Sequence, residues 1–388
     1  MSVTTARGFT AAGAHAGIKA DLADLDMALV ATDDGRPVPA AGVFTRNKAT
    51  AAPVLVSRAH LEVTGGRAAA VVINSGNANA ATGAGGRATA EGACGLVAHE
   101  LGCALEEVLV CSTGLIGNPL ALDPFEQTIP RLASTRSRAG AAQAARAILT
   151  TDTKPKEVVI EGHGFVVGGM AKGAAMLAPN MATMLAVLTT DAAVEPQILR
   201  EALASAVDRS FNLLSVDGAQ STNDTVLVFS SGRGSAPAPD ALETSLLLAC
   251  TSLAEQMAAD AEGHTKVVRV QIRGARSDAE ARQAGRKVAE SQLVKCSFHG
   301  ADPYWGRIVS ELGSADIEFD PDRVSIAYGD VEVCRDGVAV EHDAAAVESH
   351  MRGAQIDVAC DLGLGRGTAS ILTNDLGPGY IVENMGTS

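Results

Sequence analysis

Aromatic residues are scarce in this sequence: eight Phe, three Tyr and one Trp make up 3% of 388 residues, although the hydrophobic fraction is 47%. A core of the size this length implies must therefore be built from Ala, Val, Leu and Ile with closely approaching backbones, and forty glycines suit that. Positive charge is also in deficit. The 31 Lys and Arg against 45 Asp and Glu give a formal net charge of -14, which disfavours nonspecific binding to nucleic acid or to an anionic membrane. An anionic substrate would have to meet locally placed cations. The seven cysteines (Cys94, Cys103, Cys111, Cys250, Cys296, Cys334 and Cys360) are scattered, with no CxxC pair and no zinc spacing. They are expected to be reduced core residues, with no metal site. No apolar run approaches the ~20 residues of a membrane span, and the N-terminus lacks the basic flank and apolar run of a signal peptide. A soluble, cytoplasmic protein is expected.

Against these absences stands a mixed pattern of strands and helices. The run AAAVVI at 68–73 predicts a strand entering an Asn/Gly-rich turn, NSGNANAATGAGG, followed by a helix over 88–101. The burst at 108–111 opens into STGLIG, which places 112–114 on a strand-end turn with free backbone amides. A helix over 141–149, a hairpin over 157–169 and a buried strand after Thr183 follow. Helices at 196–209 and 240–261 flank a strand at 224–230. The Gly/Pro-rich stretch 232–240 is expected as a surface loop. In the last third, VVRVQIRG is a strand. Ser277, Asp278 and Glu280 begin a helix with a capping box running to about Gln292, and short strands and turns continue to the end. This predicts an α/β fold (α+β layered) with a smaller C-terminal subdomain from about 265 to 388. GLGRG at 363–367 departs from GxGxxG spacing and is expected to be a hairpin turn. GHGFVVGGMAKGAA lacks the P-loop pattern, so no nucleotide is implied.

The most informative segment is GGMAKGAAMLAPNMAT at 168–183, continuing into MLAVLTTDA. By composition alone it is a Gly/Ala-rich connection entering a strand, with Lys172 solvated and Pro179-Asn180 a turn. It is, however, similar to the self-cleavage region of the ornithine acetyltransferase family, and the similarity continues along the chain. GVFTRNKATAAPV, INSGNANA, CSTGLIG, LTTDT, DGAQSTNDTVLV, DAEGHTK and ADPYWGRI all match in order. Three substitutions and the tail depart from the family pattern: His264 for Ala, Tyr304 for Asn, Ala81 for Cys, and a short ending ENMGTS in which Thr387 rivals Ser388.

The resemblance implies a self-processing enzyme of N-terminal-nucleophile type, cut between Ala182 and Thr183 into chains 1–182 and 183–388 that assemble as an α2β2 heterotetramer. A threonine hydroxyl can attack the carbonyl before it and convert the amide to an ester that water opens. The new α-amine, with an unperturbed pKa near ~7.7 to 8.0, can then serve its own hydroxyl as base. No GxSxG elbow or Ser/His/Asp triad is needed, and none is found. The resemblance further implies an oxyanion pair at Thr113 and Gly114, and substrate contacts at Thr150, Lys172, Thr183, Glu262, Asn384 and Ser388. Without it, the Thr113-Gly114 turn, exposed Lys172 and Glu262 charges and a helix-ending Thr150 would be ordinary structure. The implied reaction moves acetyl from N2-acetyl-L-ornithine to L-glutamate by a ping-pong route in arginine biosynthesis. No cofactor is implied, although some family members also take acetyl-CoA as donor. The alternative is an N-terminal-nucleophile amidohydrolase or aminopeptidase, which would pass the acyl group to water.

Overall fold

The computed structural model describes residues 2–178 and 184–386, with backbone alone described at Pro239. A first, four-stranded sheet runs Phe9–Ala14, Met27–Thr32, Ala70–Asn77, Val108–Leu115 in spatial order. A second, six-stranded sheet runs Arg67–Ala68, Val38–Phe44, Thr225–Ser230, Leu185–Thr190, Val166–Lys172, Lys156–Glu161. The strands Met27–Thr32, Leu185–Thr190 and Thr225–Ser230 are buried at every position, as expected of strands covered on both faces. The two sheets share one core, where Val30, Val71, Ile73 and Leu109 meet Met170, Leu185, Val187 and Leu227. The outer face of the first sheet packs on helices Gly83–Leu101 and Asp123–Thr135. That of the second packs on Pro196–Asp208 and Pro239–Ala258. The result is four layers, helix, sheet, sheet, helix, in which Ala and Val let the sheets approach as the poverty in aromatics requires.

A third, six-stranded sheet contains Val338–Ala339, Val331–Arg335, Ser325–Tyr328, Gln355–Asp361, Val267–Ala275 and Gly367–Asn374. Burial alternates along Val267–Ala275 and Gln355–Asp361, so one face is packed, on Asp278–Glu290 and Ala344–Met351 among others, and the other is open. Among the described residues no helix is long and apolar enough to cross a membrane.

Several sequence expectations need correction. The strand Val108–Leu115 passes straight through Ser112, Thr113 and Gly114, which pair in parallel with Asn74, Ser75 and Gly76 instead of forming a turn. The preceding strand likewise runs on to Asn77. Tertiary pairing overrides the turn tendency of Asn and Gly there. The helix expected at 88–101 begins earlier, at Gly83, where the Asn79 side-chain amide donates to the Gly86 carbonyl at 2.8 Å. GLGRG is not a hairpin turn: Gln355–Asp361 and Gly367–Asn374 flank Val267–Ala275 on opposite edges. The loop crosses the end of that central strand, where Leu364 and Gly365 amides donate to the Gly274 carbonyl at 2.7 and 2.8 Å. The stretch expected as strands and turns also holds helices Gln292–His299, Gly306–Gly313, Ala344–Met351 and Pro378–Glu383. Of the cysteines, Cys296 is exposed and Cys103 only partly buried, because Cys296 lies on the outward face of Gln292–His299 and Cys103 just past the end of Gly83–Leu101.

Candidate active site

Three of the expected site residues meet from three separate segments. Lys172 ends the strand Val166–Lys172, whose register puts it opposite Leu185. Its Nζ donates to Thr150 Oγ1 at 2.6 Å and to Thr113 Oγ1 at 3.2 Å. Lys172 is 3% exposed, so it is no solvated surface charge. Thr113 is carried by the first sheet, and Thr150 by the segment after helix Ala141–Ala147. Gly114, beside Thr113, has φ +130°, and a Cβ there would come within 2.3 Å of the Gly76 carbonyl carbon. Only glycine allows the two strands to close at this point.

The same region carries a buried charge network. Asp152 lies 3.8 Å from Lys172 and 2.5 Å from Lys156, and Lys156 is also 2.5 Å from Asp260. Asp152 further accepts the Gly173 amide at 2.6 Å, and Asp260 the Thr153 amide at 3.0 Å. Burial pushes the Asp152 carboxyl up, but Lys172 and Lys156 outweigh it and hold it at about 2. Burial lowers the Lys172 pKa while Asp152 and Glu262 oppose that shift.

Glu262 and Asn384 form a second pair: Asn384 Nδ2 donates to Glu262 Oε2 at 2.9 Å. The Glu262 amide donates to the Ala174 carbonyl at 3.0 Å, two residues beyond Lys172. Glu262 is 8% exposed. The short helix Pro378–Glu383 brings Asn384 there, and its Tyr380 hydroxyl reaches Asp217 at 3.4 Å. His264 directs a ring nitrogen to the Ala261 carbonyl, and Tyr304 stands exposed. Ala182, Thr183 and Ser388 lie outside the described residues.

Sequence reasoning missed Asp152, Lys156, Asp224 and Asp260. Asp224 is fully buried next to the cleavage segment, accepting the Met184 amide at 3.1 Å. Among the described residues its second oxygen has no hydrogen-bond partner, and burial pushes its pKa well above the ordinary carboxylate range. Its neighbour Asn223 donates to the carbonyls of Ala78 and Ser112 at 2.6 and 2.8 Å. The motifs NSGNANA, CSTGLIG and DGAQSTNDT are thereby tied into one corner. Three of the four missed residues sit inside motifs quoted above (Asp152 in LTTDT, Asp224 in DGAQSTNDTVLV, Asp260 in DAEGHTK), but their pairings span up to 107 positions. Among the described residues no group of three or more His, Cys, Asp or Glu side chains is arranged to hold a metal ion.

The family model described as "ArgJ family" matches residues 10–386. The arginine biosynthesis bifunctional protein ArgJ of Streptomyces coelicolor is 46% identical over 393 residues, covering all of both chains. The chain belongs to the ArgJ family. The protein of that name from Mycobacterium tuberculosis is also 46% identical, over 399 residues that cover all of this chain and 96% of its own. One chain of the crystal structure of ornithine acetyltransferase complexed with ornithine from M. tuberculosis is 44% identical. It covers 46% of this chain and 94% of its own, with a TM-score of 0.43.

Proposed function

We propose that this ArgJ-family chain transfers acetyl from N2-acetyl-L-ornithine to L-glutamate in arginine biosynthesis, after cutting its own backbone between Ala182 and Thr183. The observation that carries the reading is the buried Lys172 ammonium held on Thr113 and Thr150, two of the residues expected to act with it. Thr183 Oγ1 attacks the Ala182 carbonyl, the amide becomes an ester, and water opens it to leave Thr183 with a free α-amine. That amine takes the proton from Thr183 Oγ1 as the hydroxyl attacks the acetyl carbonyl of acetylornithine. Thr113 and Gly114 face the oxyanion of the tetrahedral intermediate, a contribution of about 10²- to 10³-fold per donor. The proton passes to the departing nitrogen and ornithine leaves. The glutamate amine then attacks acetyl-Thr183 and carries the acetyl group away as N-acetylglutamate.

Lys172 meets the α-carboxylate that both amino acids share, with Thr150 beside it. Asp152 keeps a cation affordable in that buried place. Glu262, oriented by Asn384, takes the ornithine ammonium, with Ser388 completing the pocket. No resident cofactor is required, and acetyl-CoA serves as an alternative donor. The fragments remain together and pair as an α2β2 assembly in the cytoplasm.

The test uses acetyl-labelled acetylornithine. Label should appear on Thr183 and leave as acetylglutamate faster with glutamate than with water alone. Equal discharge with and without glutamate, together with no acetylglutamate made from acetyl-CoA, would establish a hydrolase instead. Thr113→Ala should lower kcat more than it raises KM, since the contact strengthens in the transition state.

A further inference from the structure

A second lysine ammonium is bound at the residue before Thr150, where Lys19 Nζ donates to the Leu149 carbonyl. The loop between Phe9–Ala14 and Met27–Thr32 is anchored by Asp26, which is fully buried. Asp26 Oδ1 accepts the Ala16 amide at 2.5 Å, and Oδ2 accepts the Ile18 and Lys19 amides at 2.7 and 2.9 Å. The Asp26 carbonyl in turn accepts the Ser75 amide at 2.9 Å, next to Gly76. A buried carboxylate engaged in this way sets the loop before any ligand arrives.

That loop delivers Lys19 to the site. Its side chain passes over Gly76, where a Cβ would lie 2.9 Å from Lys19 Cγ, and Gly76 pairs with Gly114. Lys19 Nζ donates to the Leu149 carbonyl at 2.7 Å and to the Leu25 carbonyl at 3.4 Å. Leu149 immediately precedes Thr150, whose hydroxyl takes the bond from Lys172. The Lys19 charge is close enough to depress the Lys172 pKa. An ammonium has three N–H donors, of which the two carbonyls use two. Carbonyls orient a cation without neutralising it. Whereas Lys172 and Lys156 have carboxylate partners, Lys19 forms no ion pair with a carboxylate among the described residues.

We propose that Lys19 is a specificity-determining residue that reads the side-chain carboxylate of the acetyl acceptor, while Lys172 holds the α-carboxylate common to both amino acids. The inference rests on the acetyltransferase reading. The two amino acids share an α-carboxylate and differ at the far end, where ornithine is cationic and glutamate anionic. One lysine can serve what they share, and a second, unneutralised one can serve what distinguishes the acceptor. The glutamate carboxylate takes the third Lys19 donor and supplies a charge partner that the described residues do not.

The experiment compares L-glutamate with its neutral isostere L-glutamine as acceptor, using the matured enzyme and acetylornithine as donor. Lys19→Met should lower the glutamate-to-glutamine ratio of kcat/KM by about tenfold or more, as loss of a charge-assisted contact to one acceptor requires. Lys19→Arg, which keeps the charge, should retain most of the preference. Equal losses for both acceptors would reduce Lys19 to a structural strut and overturn the proposal. Should neither variant mature, the wild-type ratio decides: an enzyme using both acceptors equally well refutes the inference. A wild type that transfers acetyl to no amino acid refutes the acetyltransferase reading as well, and that result is distinct from transfer without discrimination.

Discussion

Lys156 shows most directly what buried charge costs and contributes here. It is fully buried, with Asp152 and Asp260 each at 2.5 Å. Lys156→Met would leave two carboxylates inside without their cation, and is expected to cost about 3–5 kcal/mol. Urea unfolding measures this, and a loss under about 1 kcal/mol would contradict the pairing. Asp152 yields a pH prediction. Its folded pKa is about 2, below the 3.8 of a free carboxyl, so the unfolded chain binds more protons in that window. The stability it contributes is complete above about pH 4 and is lost as pH falls through about 2. The Asp152→Asn variant should therefore show a flatter loss of stability between those values than the wild type. None of this could be read from LTTDT or DAEGHTK, because a sequence does not announce which distant carboxylates share a cation.

A helix cap with a local cause was legible, whereas the strand course at Gly114, set by a distant partner, was not. Ser277 caps helix Asp278–Glu290, accepting the Glu280 amide at 3.2 Å, which is the serine half of the expected capping box. Ser277→Ala is expected to lower stability by about 1 kcal/mol, seen as a shifted urea midpoint with an unchanged slope. The helix ends at Glu290 because Ser291 adopts an extended conformation and caps the next one, Gln292–His299. That second cap was equally local and was overlooked. The strand through Ser112 to Gly114 is different in kind, because Gly114 pairs with Gly76 of the partner strand and both glycines sit at positive φ. Gly114→Ala should therefore destabilise this corner by more than the ~1 kcal/mol of an ordinary glycine replacement and abolish acetyl transfer. A Gly114→Ala enzyme with wild-type kcat would remove the close approach from the mechanism.

On the scale of the whole molecule, the bond expected to break lies between strands of one sheet. Val38–Phe44, Lys156–Glu161 and Val166–Lys172 precede residue 183, whereas Leu185–Thr190 and Thr225–Ser230 follow it. Val166–Lys172 pairs along its length with Leu185–Thr190, and Thr225–Ser230 with Val38–Phe44. Both sides also feed the shared core between the sheets. The fragments 1–182 and 183–388 should therefore co-elute under native conditions and separate only in denaturant, giving two masses. Thr183→Ala should give one uncut mass and no transfer. Fragments that part on native gel filtration would contradict this sheet.

What the sequence determined by itself was of two kinds. Composition decided the character of the core, since few aromatics and many small residues permit only closely packed layers. Motif order carried the family resemblance, and through it the expected reaction and the roles expected of Thr113, Thr150 and Lys172. The tertiary structure alone decided which of these touch, which charges are buried and what keeps them there. It continued the strand through Gly114, sent GLGRG across a strand end, and brought Lys19 beside Thr150 by way of Asp26. The reason is physical: local signals fix dihedral preferences over a few residues, whereas burial and ion pairing depend on groups that meet only after the layers close.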